Sequence, residues 1–94
     1  MRRASRVDEN QSDIVSTLRQ AGASVAITSA VGSGFPDLVV GIHGRNYLVE
    51  VKDGPAKRED LTDDQILFFL HWRGDTRVIA TIDDALKLLK EAKQ

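Results

Sequence analysis

Hydrophobic and polar positions alternate along two neighbouring stretches in the middle of the chain, and this pattern predicts a β-hairpin. The stretches cover residues 38–42 and 47–51 and are rich in β-branched residues. A short polar segment containing Gly44 and Asn46 separates them, as is typical of a hairpin connection. Because successive side chains of a strand point to opposite faces, one face of the hairpin should be apolar and the other should carry polar groups.

The polar face collects three charged side chains, Asp37, Glu50 and Lys52. A turn at His43 and Gly44 would place Asp37 opposite Glu50, and a longer loop would place Asp37 opposite Lys52. Both registers keep the three groups on one face, whereas a slip of one residue would send Asp37 to the apolar face. An ordinary half-exposed hairpin with a cross-strand ion pair is the alternative.

Two apolar residues, Val39 and Leu48, share this polar face, so the face should be at least partly covered. A partly buried cluster of charges is costly unless the charges are paired or hold a metal. The pattern therefore favours a functional cluster over a solvated ion pair.

The rest of the chain adds helices and strands around the hairpin. Apolar residues at helical spacing predict helices over 8–21, 63–73 and 83–93, and further strands are predicted over 24–28 and 77–81. The expected inward-facing residues are Val7, Ile14, Val15 and Leu18 in the first helix, Ile66, Phe69 and Leu70 in the second, and Leu86, Leu89 and Ala92 in the third. The order α-β-β-β-α-β-α predicts an α/β fold with a central mixed sheet flanked by helices.

Composition limits the alternatives. The 94 residues predict a single domain over 1–94, with residues 1–6 as a basic and flexible N-terminal segment. The absence of cysteine excludes disulfides and thiolate metal sites. No apolar run is long enough to span a membrane and no signal peptide is visible, so a cytoplasmic location is expected. The glycines at 32 and 34 lack the spacing of a nucleotide-binding loop, so no organic cofactor is expected.

The segments GFPDLVVG (34–41) and LVEVK (48–52), in this order of elements, resemble the PD-(D/E)XK nuclease superfamily. The chain is most similar to the small stand-alone VRR-NUC domains of that superfamily, over about residues 7–89. The resemblance implies a restriction-endonuclease-like core. It also implies that Asp37 and Glu50 bind Mg²⁺ or Mn²⁺ together with the carbonyl of Val51, and that Lys52 orients or activates the attacking water. A hard cation held by oxygen ligands suits phosphodiester hydrolysis, because it neutralises charge on the phosphate.

Three further site positions follow from the resemblance. Related junction resolvases have Glu-x-x-Ile-Val-x-x-Leu in the first helix, and Gln11 stands where that pattern has Glu. Gln11 could bind the metal or its water, or pack as a satisfied amide, and Asp8 could supply the missing carboxylate. VRR-NUC-like domains tend to have a Gln near the site at the start of the next helix, which makes Gln65 a candidate. The alternative is a helix capping box formed by Thr62 and Gln65.

Basic residues near the Glu-Val-Lys strand are candidates for contacts with a nucleic acid. Lys57 and Arg58 follow that strand, and Gly34 lies in the loop beside the site. The alternative is that such short charge runs are only solvated surface. The formal net charge of −1 favours neither interpretation.

The resemblance also implies the substrate and the assembly. It indicates an endonuclease for branched DNA such as Holliday junctions, acting as a homodimer, with Leu67, Phe68 and Trp72 as candidate interface residues. A non-catalytic nucleic-acid-binding or assembly module that retains the nuclease fold is the alternative. Gln11 in place of Glu, and the slightly acidic balance of the chain, favour that alternative.

Overall fold

The computed structural model describes the backbone of residues 6–94 and the side chains from Glu9 onward. The predictions for the basic segment 1–5 and for the side chains of Arg6, Val7 and Asp8 fall outside the described residues. The helices and strands are α1 (Arg6–Gln20), β1 (Ser24–Ile27), β2 (Leu38–Ile42), β3 (Arg45–Val51), α2 (Asp63–His71), β4 (Asp75–Ile79) and α3 (Ile82–Ala92), with 3₁₀ turns at Ser29–Val31 and Pro55–Lys57. Among the described residues, none of the helices has the length and apolar character that crossing a membrane would require.

The four strands form one sheet in the order β1-β2-β3-β4. The first three strands are antiparallel neighbours, and β4 runs parallel to β3 after the crossover through α2. This arrangement confirms the predicted order of elements and the mixed sheet flanked by helices.

The turn between β2 and β3 selects one of the two predicted registers. It consists of His43 and Gly44, whose φ angles of 53° and 78° are both positive, as the tight primed turns of hairpins require. Ile42 consequently pairs with Arg45, so β3 begins two residues earlier than predicted. Continuing this register places Asp37 opposite Glu50.

The hydrophobic core lies between one face of the sheet and the helices α1 and α3. All six residues predicted for the apolar face of the hairpin contribute to it, namely Leu38, Val40, Ile42, Tyr47, Val49 and Val51. Ile14, Val15 and Leu18 of α1 pack against them as predicted. The hairpin alternation thus separates a core face from a face that is free for chemistry.

The inward face of α3 differs from the prediction. Ala85, Leu88 and Ala92 are buried, whereas Leu86 is 49% exposed and Leu89 is only partly buried against the core. The spacing i, i+3, i+7 places Ala85, Leu88 and Ala92 on one stripe of the helix. The prediction was right for Ala92 and overlooked Ala85 and Leu88.

The boundaries of the last strand also differ from the prediction. β4 begins at Asp75 and ends at Ile79, two residues earlier than predicted at each end. Thr81 is the N-cap of α3 instead of a strand residue, because its side chain accepts a hydrogen bond from the Asp84 N–H (3.1 Å). A residue committed to capping a helix cannot continue the strand pairing.

The predicted buried stripe of α2 is wrong. No residue of this helix is buried, and Ile66, Leu67 and Leu70 are 42%, 55% and 73% exposed. The helix lies on the side of the sheet that carries Asp37 and Glu50, outside the core between the sheet and the helices α1 and α3. Its apolar side chains remain at the surface, and the helix ends at His71.

Two contacts hold α2 to the loop that precedes β2. A Cβ added to Gly34 would lie 2.5 Å from the carbonyl oxygen of Asp64, so only glycine allows this approach. The ring of Phe35 meets the ring of Phe68 edge-on, with 5.3 Å between the centroids. The helix is therefore anchored at Asp64 in its first turn and at Phe68 in its second half.

We expect Gly34→Ala to destabilise the protein more than Gly44→Ala, by at least about 1 kcal/mol. Both glycines have a positive φ, of 83° and 78°, so both substitutions introduce a similar backbone strain. Nothing lies within 4 Å of a Cβ at Gly44, whereas the Cβ at Gly34 would collide with α2. Urea unfolding of the two variants measures the difference, and equal losses would contradict the close approach.

Candidate active site

The polar face of the hairpin forms the floor of a groove with a volume of about 400 Å³. Asp37 immediately precedes β2, Glu50 lies in β3, and Lys52 immediately follows β3. The structure therefore brings together the three charged residues that the alternation pattern selected. The groove is lined by Asp37, Glu50, Val51, Lys52, Asp53, Lys57 and Asp60.

Pro36 ends the pairing between β2 and β3 at the site. In the register of these strands Pro36 lies opposite Val51, and a proline has no N–H to donate. The Val51 N–H donates instead to Oδ2 of Asp37 (3.0 Å). The next N–H, that of Lys52, donates to Ile79 in β4, so the carbonyl of Val51 faces β2 and finds no donor in Pro36. The proline thus leaves a backbone oxygen available beside the Asp37 carboxylate.

Glu50 is the one charged side chain among the described residues that is buried, with 4% of its surface exposed. Its Oε2 atom accepts a hydrogen bond from Gln65 Nε2 (2.8 Å) and lies 3.7 Å from Lys52 Nζ. Its Oε1 atom is fully buried and has no hydrogen-bond partner among the described residues. An unsatisfied buried carboxylate oxygen is costly, so this atom marks the place where a cation would be stabilised.

The electrostatics of Glu50 follow from this burial. Burial, followed by the nearby Asp37 carboxylate, raises the pKa of Glu50 to about 7, and Lys52 opposes the shift. Two carboxylates that share a site repel each other in the ionised form. A divalent cation between them would remove that repulsion.

Gln65 satisfies both interpretations that the sequence left open. Its backbone N–H donates to the Thr62 hydroxyl and its Oε1 accepts from the Thr62 N–H, which completes the capping box of α2. The same side chain accepts from Lys52 Nζ (3.0 Å) and donates to Glu50 (2.8 Å). One amide therefore closes the start of α2 and connects the two charged groups of β3.

The prediction for the first helix requires a correction. Gln11 does not line the groove that contains Asp37; its amide donates to the hydroxyl of Ser29 (3.4 Å). Asn10, the residue before Gln11, reaches the end of β3 instead. Its amide donates to the carbonyl of Lys52 (2.7 Å) and, more weakly, to that of Ala80 (3.3 Å). Because Asn10 and Gln11 lie four and three residues before Ile14, the helical stripe does not distinguish them, and the motif register pointed to Gln11.

The three candidates for nucleic-acid contacts have different surroundings. Lys57 lines the site groove and is largely exposed, 3.9 Å from Asp60. The guanidinium of Arg58 donates to Asp84 (2.7 Å), and its predicted phosphate contact stays a prediction. Gly34 contacts α2, and its close approach to the helix explains the glycine.

The Arg58–Asp84 pair attaches the loop that follows Lys52 to the start of α3. The same Asp84 oxygen accepts from the Ala80 N–H (2.9 Å). Burial by itself would raise the pKa of Asp84, but the hydrogen bonds from Arg58 and Ala80 outweigh it and lower this pKa. The pair therefore holds one wall of the groove in place.

The described residues fit a single hard cation. They contain no cluster of three or more His, Cys, Asp or Glu side chains. The available oxygen donors are the carboxylates of Asp37 and Glu50 and the carbonyl of Val51, and the side chain of Asp8 lies outside the described residues. Mg²⁺ and Mn²⁺ prefer oxygen donors of this kind and retain several water ligands.

Comparison with solved structures identifies the fold. The chain superimposes on a structure described as a VRR_NUC domain with a TM-score of 0.77, over 93% of this chain and 97% of that chain, at 23% sequence identity. The protein has a VRR_NUC-like nuclease fold. Comparisons with protein-family models and with curated proteins give no match. The structural match confirms the predicted resemblance and the fold class.

We expect Glu50→Gln to remove a pH dependence from the stability of the metal-free protein. Glu50 has an ordinary pKa of 4.5 and a folded-state pKa of about 7, so the folded state holds this proton more tightly. The stabilisation is complete below the unfolded pKa and is lost as the pH rises through the folded pKa. Between about pH 5 and pH 8 the unmodified protein should lose roughly 1–3 kcal/mol relative to the variant. Urea unfolding in EDTA measures both, and parallel pH profiles would contradict the buried carboxylate.

We expect Gln65→Ala and Thr62→Ala to separate helix capping from site support. Each removes half of the capping box and should cost about 1 kcal/mol of stability. Only Gln65→Ala also removes the contacts with Lys52 and Glu50, so it should weaken Mn²⁺ binding about tenfold or more. Calorimetry provides the affinities, and equal Mn²⁺ affinities in the two variants would restrict Gln65 to capping.

Proposed function

We propose that this protein is a metal-dependent endonuclease that hydrolyses phosphodiester bonds of DNA, with branched DNA such as Holliday junctions as its substrate. The observation that carries the proposal is the buried, unpartnered oxygen of Glu50, beside Asp37 and Lys52 on one face of a nuclease-type fold. A structural ion pair would satisfy its own buried atoms, whereas a cation site leaves oxygen donors open. We also propose a cytoplasmic location.

The residues divide into two roles. Asp37, Glu50 and the Val51 carbonyl would hold Mg²⁺ or Mn²⁺. The cation would supply positive charge for the scissile phosphate and make a water more acidic. Lys52 is held by Gln65 at 3.0 Å, so its ammonium has a defined position near the two carboxylates. From there Lys52 orients the attacking water and contributes positive charge next to the phosphate.

The proposed substrate and the proposed homodimer support each other. A four-way junction has near two-fold symmetry, and a C2 dimer would present two sites to it. The exposed apolar residues of α2 would be buried in such a dimer, and Trp72, stacked on Phe68 at 5.1 Å, would extend the interface. Because α2 also carries Gln65, a dimer through this helix would bring both sites close to the two-fold axis.

The alternative function is a nucleic-acid-binding or assembly module without catalysis. Two observations favour it. The first helix contributes no carboxylate among its described side chains in the site groove, and the groove contains Asp53 and Asp60 besides the presumed ligands. Retention of Asp37, Glu50 and Lys52 in one cluster favours the enzyme.

A substrate panel separates the two functions. Labelled four-way junction, flap, nicked duplex and linear duplex are incubated with the protein in Mg²⁺ or Mn²⁺, with EDTA as the control. Metal-dependent cutting of the branched substrates is expected. Binding of the same substrates without any cutting would favour the non-catalytic module.

We expect Asp37→Asn and Glu50→Gln each to cleave junction DNA at least about a hundredfold more slowly, because each removes a major electrostatic term from the site. DNA binding should persist in both variants. Asp53→Asn is the matched control, since Asp53 lines the same groove but does not contact Glu50 in any described hydrogen bond. Near-normal cleavage by either test variant at saturating Mg²⁺ would contradict the assignment.

We expect light scattering at micromolar concentration to give about twice the chain mass of 10.4 kDa. Leu70→Lys should shift the protein to the monomer, because it places a charge in the proposed interface. Leu86→Lys is the control, since Leu86 lies on α3 and is also exposed, at 49% against 73% for Leu70. A monomeric unmodified protein, or equal masses for the two variants, would contradict an interface through α2.

A further inference from the structure

A second groove, with a volume of about 440 Å³, lies between α1 and the edge strand β1. It was not among the sites that the sequence selected. Five of its residues are polar or basic side chains of α1, and Val15 and Ile27 provide an apolar floor. The groove is lined by Gln11, Ser12, Val15, Ser16, Arg19, Gln20 and Ile27.

The donors in this groove are of the kind that contacts nucleic-acid backbones. Its lining comprises two hydroxyls, two amides and one guanidinium, and no carboxylate. Side chains of these types make most protein contacts to phosphates and sugars. The catalytic groove, in contrast, contains four carboxylates. The exposed acids Glu9 and Asp13 of α1 do not line the second groove.

The second groove lies on the α1 side of the sheet and shares no lining residue with the catalytic groove. At its near end Gln11 donates to the hydroxyl of Ser29. The preceding residue, Thr28, donates its N–H to the carbonyl of Asp37 (2.7 Å), so both grooves lie toward the end of the sheet at which β2 begins. From residue 11 to residue 20 the groove follows α1 for roughly 13 Å, the length of about four nucleotides of a duplex strand.

Arg19 gives the far end of the groove a fixed positive charge. Its guanidinium donates to the carbonyl of Val25 on the free edge of β1 (2.9 Å), which leaves its other donors available. The same bond occupies an edge acceptor that an added peptide strand would need. Together with the hydroxyls, this favours a nucleic-acid backbone over a protein strand as the occupant.

We propose that this second groove binds the sugar–phosphate backbone of a DNA strand as it leaves the catalytic groove, with Arg19 and Ser16 contacting phosphates. The inference rests on the proposed function and extends it to a strand path. The catalytic groove holds the scissile phosphate, and the second groove holds the flanking nucleotides along roughly 13 Å of α1.

The test uses two variants with matched controls. Arg19→Gln removes the guanidinium, and Lys87→Gln removes an exposed charge from α3 as its control. Ser16→Asp places a carboxylate in the groove, and Ser16→Ala is its uncharged control. Dissociation constants for a four-way junction are measured in Ca²⁺ over a range of salt concentrations, and urea unfolding confirms that the variants fold.

Both test variants should bind the junction about 3- to 10-fold more weakly than the unmodified protein. Arg19→Gln should also reduce the slope of log K against log salt by about one, since one phosphate contact is lost. The controls should bind within about twofold of the unmodified protein. Ser16→Asp remains informative if Arg19→Gln alters the edge of β1, because the one side-chain hydrogen bond of Ser16 among the described residues is with Gln20.

Two results would overturn the inference. The first is unchanged junction binding by both test variants. The second is a changed oligomeric mass in either test variant, which would indicate that the groove is a protein interface. Failure of the proposed function is distinguishable from both. If the unmodified protein cuts no substrate of the panel but binds DNA in a groove-dependent way, the strand path stands and the catalytic assignment falls.

Discussion

Burial of the Glu50 carboxylate is the constraint on which the rest of this structure depends. A carboxylate with 4% exposure requires compensation, and the neighbouring elements supply only part of it. Lys52 offers a charge at 3.7 Å and Gln65 a hydrogen bond at 2.8 Å, while the second oxygen has no partner among the described residues. Pro36 leaves a backbone oxygen open nearby. The site is thus incomplete in a way that a divalent cation would complete.

The weak attachment of α2 follows from the same constraint. This helix lies beside the site and outside the main core, and its contacts include the Gln65 amide, the Gly34 approach and the Phe35–Phe68 ring pair. Its apolar side chains remain exposed as a result. Because Gln65 belongs both to the helix cap and to the site, any partner that moves α2 would also change the surroundings of Glu50.

The hairpin was predictable from the sequence because alternating apolar and polar residues are typical of a strand with one buried face. One face must be apolar, so the positions of Asp37, Glu50 and Lys52 followed. The stripe of α2 was not predictable by the same logic, since an amphipathic pattern does not reveal whether an apolar partner exists. The sequence motif pointed to Gln11, whereas in the structure Asn10 donates to the end of β3, and the spacing from Ile14 does not distinguish the two residues. The two alternatives for Gln65 proved compatible, which no pattern of residue types could have indicated.

The central claim is that Asp37 and Glu50 hold one divalent cation, and isothermal titration with Mn²⁺ tests it most directly. The unmodified protein should bind Mn²⁺ at one site, and the binding heat should vanish in Asp37→Ala. Asp60→Ala, which changes a carboxylate of the same groove, should retain the heat. An absence of Mn²⁺ binding by the unmodified protein, or equal heats for the two variants, would contradict the account.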